Sequence, residues 1–317
     1  MDRRMYNEAL RQSIIKQHGG HRTIVSKYEP KYPISAEREY MRMTDAYMAI
    51  EKEILLKHIP ELKRILSEGT LYHTDSKKDN EKKRKEARFV TIDGTIVQLG
   101  VLFDNIQREL EAACGLYNVQ HRLTNIAGVN RKLTIAEWKK AISKTLGINI
   151  LEDYYSGSFY QEALEKWISD NVDLIKTIPK ESLGKIKELV YRNYMDGRTN
   201  TDIIKELQRQ YGVDKRHARL IARDQTGKLN ARITRYQQTD AGISRYKWSD
   251  SSDARVRDSH KRLNGHIFSW DNPPETDGGR HCHPGEDYQC RCCAIPVFDI
   301  DTLDLPVHET VYGSERR

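Results

Sequence analysis

Four of the five cysteines in this 317-residue chain fall within HCHPGEDYQCRCCAIPVF, residues 281 to 298. A chain that concentrates its cysteine in one place binds a metal there, closes a disulfide clip, or keeps a reactive thiol. On an extended strand alternate side chains share a face, so Cys290 and Cys292 are expected to point together and Cys293 away from them. Zinc takes four nitrogen or sulfur ligands in a tetrahedron. Cys290 and Cys292 are therefore the first two candidates, with a third from the loop that holds Cys282 and His283, and His260 as a fourth. The two CxxC knuckles of a zinc ribbon are missing, so reduced packing cysteines and a disulfide stay open beside one structural zinc.

The cellular compartment bears on that choice. The N-terminal MDRRMYNEALRQSIIKQHGG lacks the apolar centre of a secretory signal, and no run reaches the roughly 18 to 20 apolar residues of a membrane helix. No membrane contact is expected, and the chain is expected in the cytosol of the cell that makes it. Clustered cysteines there bind metal more often than they pair. The length allows more than one compact region. A formal net charge of +7 suggests an acidic partner, with nucleic acid the commonest.

Helical periodicity dominates the first two thirds. Tyr40, Met43, Tyr47, Ile50, Ile54 and Leu55 repeat at the helical spacing within 36 to 68, where Pro60 is expected to break or kink the helix. Residues 77 to 88, KKDNEKKRKEAR, read as a solvated linker or helix face. Two β-branched segments flank Asp93-Gly94, which predicts a hairpin at 89 to 103, with a helix from Val97 as the competing reading. Helices resume from Ile106, with a capping box at Thr134 to Glu137 and breaks at Gly147 and Gly157.

Beyond Gly197 a short helix carrying Ile203, Ile204, Leu207 and Tyr211 is expected to end at Gly212, and Asp214 to cap a longer one reaching about Thr239. The second helix is basic, and Arg219, Arg223, Lys228, Arg232 and Arg235 are its candidate DNA-facing residues. ISRYKW, GHIFSW and CRCCAIPVF then alternate as three short strands. The expected class is α+β, with mostly helical N-terminal and central regions and a small C-terminal α+β domain holding the Cys/His cluster. The divisions fall at 1–166, 167–298 and an acidic, loosely held tail at 299–317.

From about 170 to 298 the sequence resembles the phage head morphogenesis family, the Mu F-like minor head proteins. IARDQTGKLNARITRYQQTDAGISRYKWSDSSDARVRDSHKRLNGHIFSWDNPP, then HPGEDYQCRC and AIPVF, follow the family pattern at Arg223, Thr226, Asn230, Trp248, Asp253, Arg255, His260, Gly265, His283, Pro284, Cys290, Arg291 and Cys292. One position departs: where many relatives carry Glu beside the helix threonine, this chain has Gln225, Thr226 and Gly227. The resemblance implies a phage or prophage protein made in the host bacterial cytoplasm and carried in the virion, inside the capsid. It also implies association with portal protein and other head proteins, a role in head assembly and in DNA packaging or delivery, and no enzymatic activity. The N-terminal helices would bind portal or scaffold, and the basic helix would contact phage DNA without sequence preference.

Two other classes compete. A metal-dependent nuclease would use Asp253, His260 and His266 around an open metal. A helix-turn-helix regulator would use the helix pair joined at Gly212.

Overall fold

The chain folds into seven described α-helices and one small sheet in a computed structural model that describes residues 8–75, 81–150, 157–250, 252 and 256–307. In chain order these are α1 (Glu8–Gln17), β1 (Thr23–Val25), α2 (Ile34–Asp75), α3 (Glu81–Leu116), α4 (Val119–Leu146), α5 (Ser158–Met195), α6 (Asn200–Asp240), β2 (Arg245–Ser249), α7 (Asp258–Leu263), β3 (Ile267–Ser269) and β4 (Cys293–Asp299). They group into two units. One comprises residues 1–40, 123–170 and 221–317, and the other 41–122 and 171–220. The units therefore do not follow a boundary at 166, because the long helices contribute to both.

Unit one is built on an antiparallel sheet in the order β1-β4-β2-β3. The three expected strands are present, and the fourth is the N-terminal Thr23–Val25, which pairs with Val297 to Asp299. Trp138 of α4 stacks on Phe298 of β4 at 6.3 Å, so helix and sheet share one apolar interior. A buried polar ladder joins α4 to α6: Thr134 Oγ1 donates to Asn230 Oδ1 at 2.9 Å, and Asn130 Nδ2 to the Thr226 carbonyl at 3.2 Å. Thr134 is thus a cross-helix donor inside a continuous α4, and the capping box expected there does not form. Gly147, at φ +70°, does end α4.

Unit two packs α2, α3, α5 and the first half of α6 around Leu66, Leu99, Leu102, Phe103, Ile186, Val190 and Ile203. Three expectations fail here, for one physical reason. Residues 89 to 103 lie within helical α3 and form no hairpin, because Leu99, Leu102, Phe103, Ile106 and Leu110 bury a helical stripe that outweighs β propensity. Pro60 does not break α2, which runs on through it with Leu55, Leu62, Ile65 and Leu66 buried on both sides. α6 is one helix of 41 residues, passing through Gly212 without a turn. A helix-interior glycine costs about 1 kcal/mol relative to alanine, less than the burial of Ile203, Leu207 and Ala218 returns. Asp214, expected as a cap, is 3% exposed and accepts from Ser182 Oγ at 2.9 Å and Gln210 Nε2 at 3.0 Å. With no turn there is no helix-turn-helix, and that regulator reading falls.

The tail also differs from expectation. Ile300, Leu303, Leu305 and Val307 are buried, and Val307 bridges Ile150, so 300 to 307 is packed chain. Glu309 and Glu315 lie outside the described residues, as does the 77 to 88 basic run apart from its backbone from Glu81.

Candidate metal centre

His260 is placed by α7, a six-residue helix whose inward positions Ser259 and His260 are buried. The cysteines come from the segment before β4, where the chain turns repeatedly between His283 and the strand. His283 N–H donates to Glu286 Oε2 at 2.9 Å, and Cys290 N–H to the Asp287 carbonyl at 3.1 Å. Gly285 (φ +86°) and Gln289 (φ +54°) take left-handed conformations that fold the segment back on itself. Cys290 and Cys292 thus precede β4, which starts at Cys293. They converge through this looped backbone rather than by strand alternation, while Cys293 faces away, its thiol on the Arg291 carbonyl.

Helix α6 makes the loop's approach possible. A Cβ at Gly227 would sit 2.8 Å from the Cys290 carbonyl oxygen, and one at Gly285 would sit 3.0 Å from Ala231 Cβ. Gly227, the departure from the family pattern, is therefore a seat for the cysteine loop. Between the two cysteines Arg291 turns the other way, donating from Nε to Glu37 Oε2 at 2.9 Å and pairing also with Oε1. Glu37, in the first turn of α2, is 1% exposed and also takes Arg223 Nε at 3.4 Å.

The result is a buried donor set. His260 Nδ1 lies 3.5 Å from both Cys290 Sγ and Cys292 Sγ, and the three ligand atoms are all within 4.8 Å of one another. Zinc bonds of about 2.0 Å to nitrogen and about 2.3 Å to sulfur at a tetrahedral angle separate N and S by about 3.6 Å. The observed spacing fits that geometry, and His260, Cys290 and Cys292 are able to hold a metal ion. Cys290 Sγ accepts the N–H groups of Gly285 and Cys292, each at 3.4 Å. Its hydrogen bonds with Cys292 and then His260 hold the Cys290 thiol well below its ordinary range, against burial. Cys292 is pushed up, by its hydrogen bond with Cys290 and by burial. Burial disfavours the His260 imidazolium, but the bond with Cys290 outweighs it and His260 is raised.

The other imidazole nitrogen is fixed as well. His260 Nε2 lies 3.2 Å from Asp287 Oδ2, and Asp287 also takes Arg257 Nη1 at 3.0 Å, Arg280 Nε at 3.1 Å and the Tyr288 N–H at 2.8 Å. These partners hold the Asp287 carboxyl below its usual range although burial opposes them. His260, Asp277 and Asp287 form a second close group. Two guanidiniums already neutralise Asp287, and a cation there would meet their charge, so the Cys/His group is the better metal site. A carboxylate on the far nitrogen of a ligating histidine fixes its tautomer.

Two of the five candidate ligands are engaged elsewhere. His283 pairs its Nδ1 with Tyr246 Oη at 2.8 Å and packs its ring 4.8 Å from Trp270; burial lowers its pKa, keeping it neutral. Cys282 is half-buried, its N–H on the Pro274 carbonyl and its thiol raised by burial. Of the nuclease trio, Asp253 lies outside the described residues, as does Arg255 of the family pattern. His266 is exposed and belongs to neither close group.

The basic helix is largely paired within the protein. Arg219 meets Asp45 at 2.8 Å, Arg223 meets Glu37, and Lys228 meets Asp224 at 2.7 Å and covers the Tyr288 ring. Arg235 donates to the Trp270 carbonyl at 3.2 Å and lies 3.8 Å from Glu286, while Arg232 is exposed.

Fold and site together define an α+β protein in which a short antiparallel sheet and a Cys/Cys/His cluster are closed over one long basic helix. Residues 184–295 match the family model of Phage Mu protein F like protein. This segment, which contains His260, Cys290 and Cys292, is similar to the Mu F-like family. A Haemophilus influenzae (strain ATCC 51907 / DSM 11121 / KW20 / Rd) protein described as uncharacterized is 35% identical over 165 residues, 52% of this chain. The match spans 36% of that relative's length. No solved structure matches the chain.

Proposed function

We propose that this protein is a minor head protein of a phage or prophage, made in the host bacterial cytoplasm, and that it enters the virion in few copies. In this reading it associates with portal protein and other head proteins and assists head assembly and DNA packaging or delivery. The observation that supports the reading is the Mu F-like segment at 184–295, in which His260, Cys290 and Cys292 lie close together. The helices of residues 1–166 would supply the portal- or scaffold-binding surface. DNA contact would be sequence-independent and would fall to the exposed members of the basic set, Arg232 foremost, since Arg219, Arg223 and Lys228 have carboxylate partners of their own.

The Cys/Cys/His group would hold one structural zinc. The donor set is soft, buried and correctly spaced, and Asp287 supports its histidine. Bound there, the ion would tie α7 to the loop before β4 and so fix the small sheet. Mass spectrometry of purified particles tests the head assignment: the protein at low copy together with portal supports it, and particles that lack the protein contradict it.

A further inference from the structure

Helices α3 and α5 of unit two leave an open cleft between them, with an apolar floor of Tyr47, Phe103, Leu110 and Leu183. Its rim is basic on one side, where α5 contributes Lys176, Lys180 and Lys187. On the α3 side Gln107 Nε2 donates to Glu111 Oε1 at 2.9 Å, so that wall satisfies itself. Lys187 lies 3.5 Å from Asp104, whereas Lys176 and Lys180 are exposed and have no carboxylate partner among the described residues. The cleft is open at Gly184, where an added Cβ would meet nothing within 4 Å. Its volume of about 220 Å³ exceeds the roughly 150 Å³ that accommodates a benzene ring, and gives room for one or two large side chains.

The lysines from 176 to 187 extend along about 16 Å, or three turns of helix. That is further than one carboxylate headgroup reaches, and the volume is below the roughly 300 Å³ at which small-molecule pockets begin. Glu111 and the apolar floor oppose a phosphate backbone. A protein helix laid along the groove sets apolar side chains on the floor and carboxylates beside the lysines. We propose that the α3–α5 groove is a docking site for an acidic amphipathic helix of a partner protein, anchored by one or two large apolar side chains. The chemistry of the groove is independent of the head assignment and would hold in any assembly the protein joins.

The test uses the full chain and two synthetic fluorescein-labelled helical peptides that share a leucine face, one with glutamate and the other with lysine on its polar face. Fluorescence anisotropy is expected to show the glutamate peptide binding about 10-fold more tightly than the lysine peptide. Lys176→Glu combined with Lys180→Glu should abolish that preference, and Gly184→Trp, which fills the opening, should weaken the glutamate peptide about 10-fold. Bound peptide should also slow alkylation of Cys114, which lines the cleft, as read site by site by mass spectrometry. No binding of the glutamate peptide, equal affinity for both peptides, or an affinity indifferent to these variants would overturn the proposal. So would dodecanoate occupying the cleft in place of peptide, or a dimer of the chain in sedimentation that Gly184→Trp dissociates. The two lysines are exposed, so their variant keeps the test decisive should Gly184→Trp not fold.

Discussion

Arg291 sets its guanidinium on the Glu37 carboxylate, 254 positions earlier in the chain, while the residues on either side of it send their sulfurs to His260. The first turn of α2 thereby anchors the cysteine loop from behind. Removing one member of a buried ion pair leaves an uncompensated charge and costs about 3 to 5 kcal/mol. Arg291→Ala should therefore lower stability by about 3 kcal/mol in chemical denaturation, and Glu37→Gln by somewhat less. Both should speed the reaction of Cys290 and Cys292 with a thiol reagent. Unchanged midpoints and thiol rates would show that the anchor does not hold the loop.

Gly227 lets the Cys290 carbonyl approach α6. With its Cβ 2.8 Å from that oxygen, Gly227→Ala requires a backbone shift, and overpacking of this kind costs about 1 to 3 kcal/mol. Alanine would otherwise favour the helix by about 1 kcal/mol, so the sign of the stability change is itself diagnostic. A destabilised Gly227→Ala with weakened metal binding is the expected result.

Asp287→Asn should keep the shape of the site but remove the charge that holds His260, Arg257 and Arg280. Zinc affinity is expected to fall about 10- to 100-fold, measured by competition with a chromogenic chelator.

In unit two, Glu51 is 1% exposed and neither carboxylate oxygen has a hydrogen-bond partner. Burial, reinforced by the Asp214 charge, pushes its pKa up to about 8. The folded chain thus holds a proton that the unfolded chain releases near pH 4.5. Stability from this group is full below that pH, declines as pH rises toward 8, and is lost above it. Glu51→Gln should flatten this decline and stabilise the protein by a few kcal/mol above pH 8. Denaturation series at pH 6 and pH 9 with the same slope for both proteins would contradict this.

Much of the fold is legible in side-chain periodicity, and much of the site in residue type. The stripe from Tyr40 to Leu55, the breaks at Gly147 and Gly157, and the three C-terminal strands follow directly from spacing. The misread segments, 89 to 103 and the turn at Gly212, are places where local preference opposes burial by distant helices, which no local window contains. β1 went unread because three residues, Thr-Ile-Val, carry too little pattern; the Gly19-Gly20 turn before them was the available signal. His260, Cys290 and Cys292 were found by ligand chemistry. Cys282 and His283 were grouped with them by sequence proximity, but the turns at Gly285 and Gln289 separate the two halves of the loop. Glu37 carries no signal in the sequence, and Asp287 and the seat at Gly227 carry none beyond their place in or beside the family pattern.

If one metal ion on His260, Cys290 and Cys292 clasps the Mu F-like segment, elemental mass spectrometry on protein purified without chelators or a histidine tag should find it. Zinc near one per chain is expected, lost together with the fold of the C-terminal sheet in Cys290→Ser and Cys292→Ser. Metal-free protein with freely titrating thiols and an intact fold would contradict it.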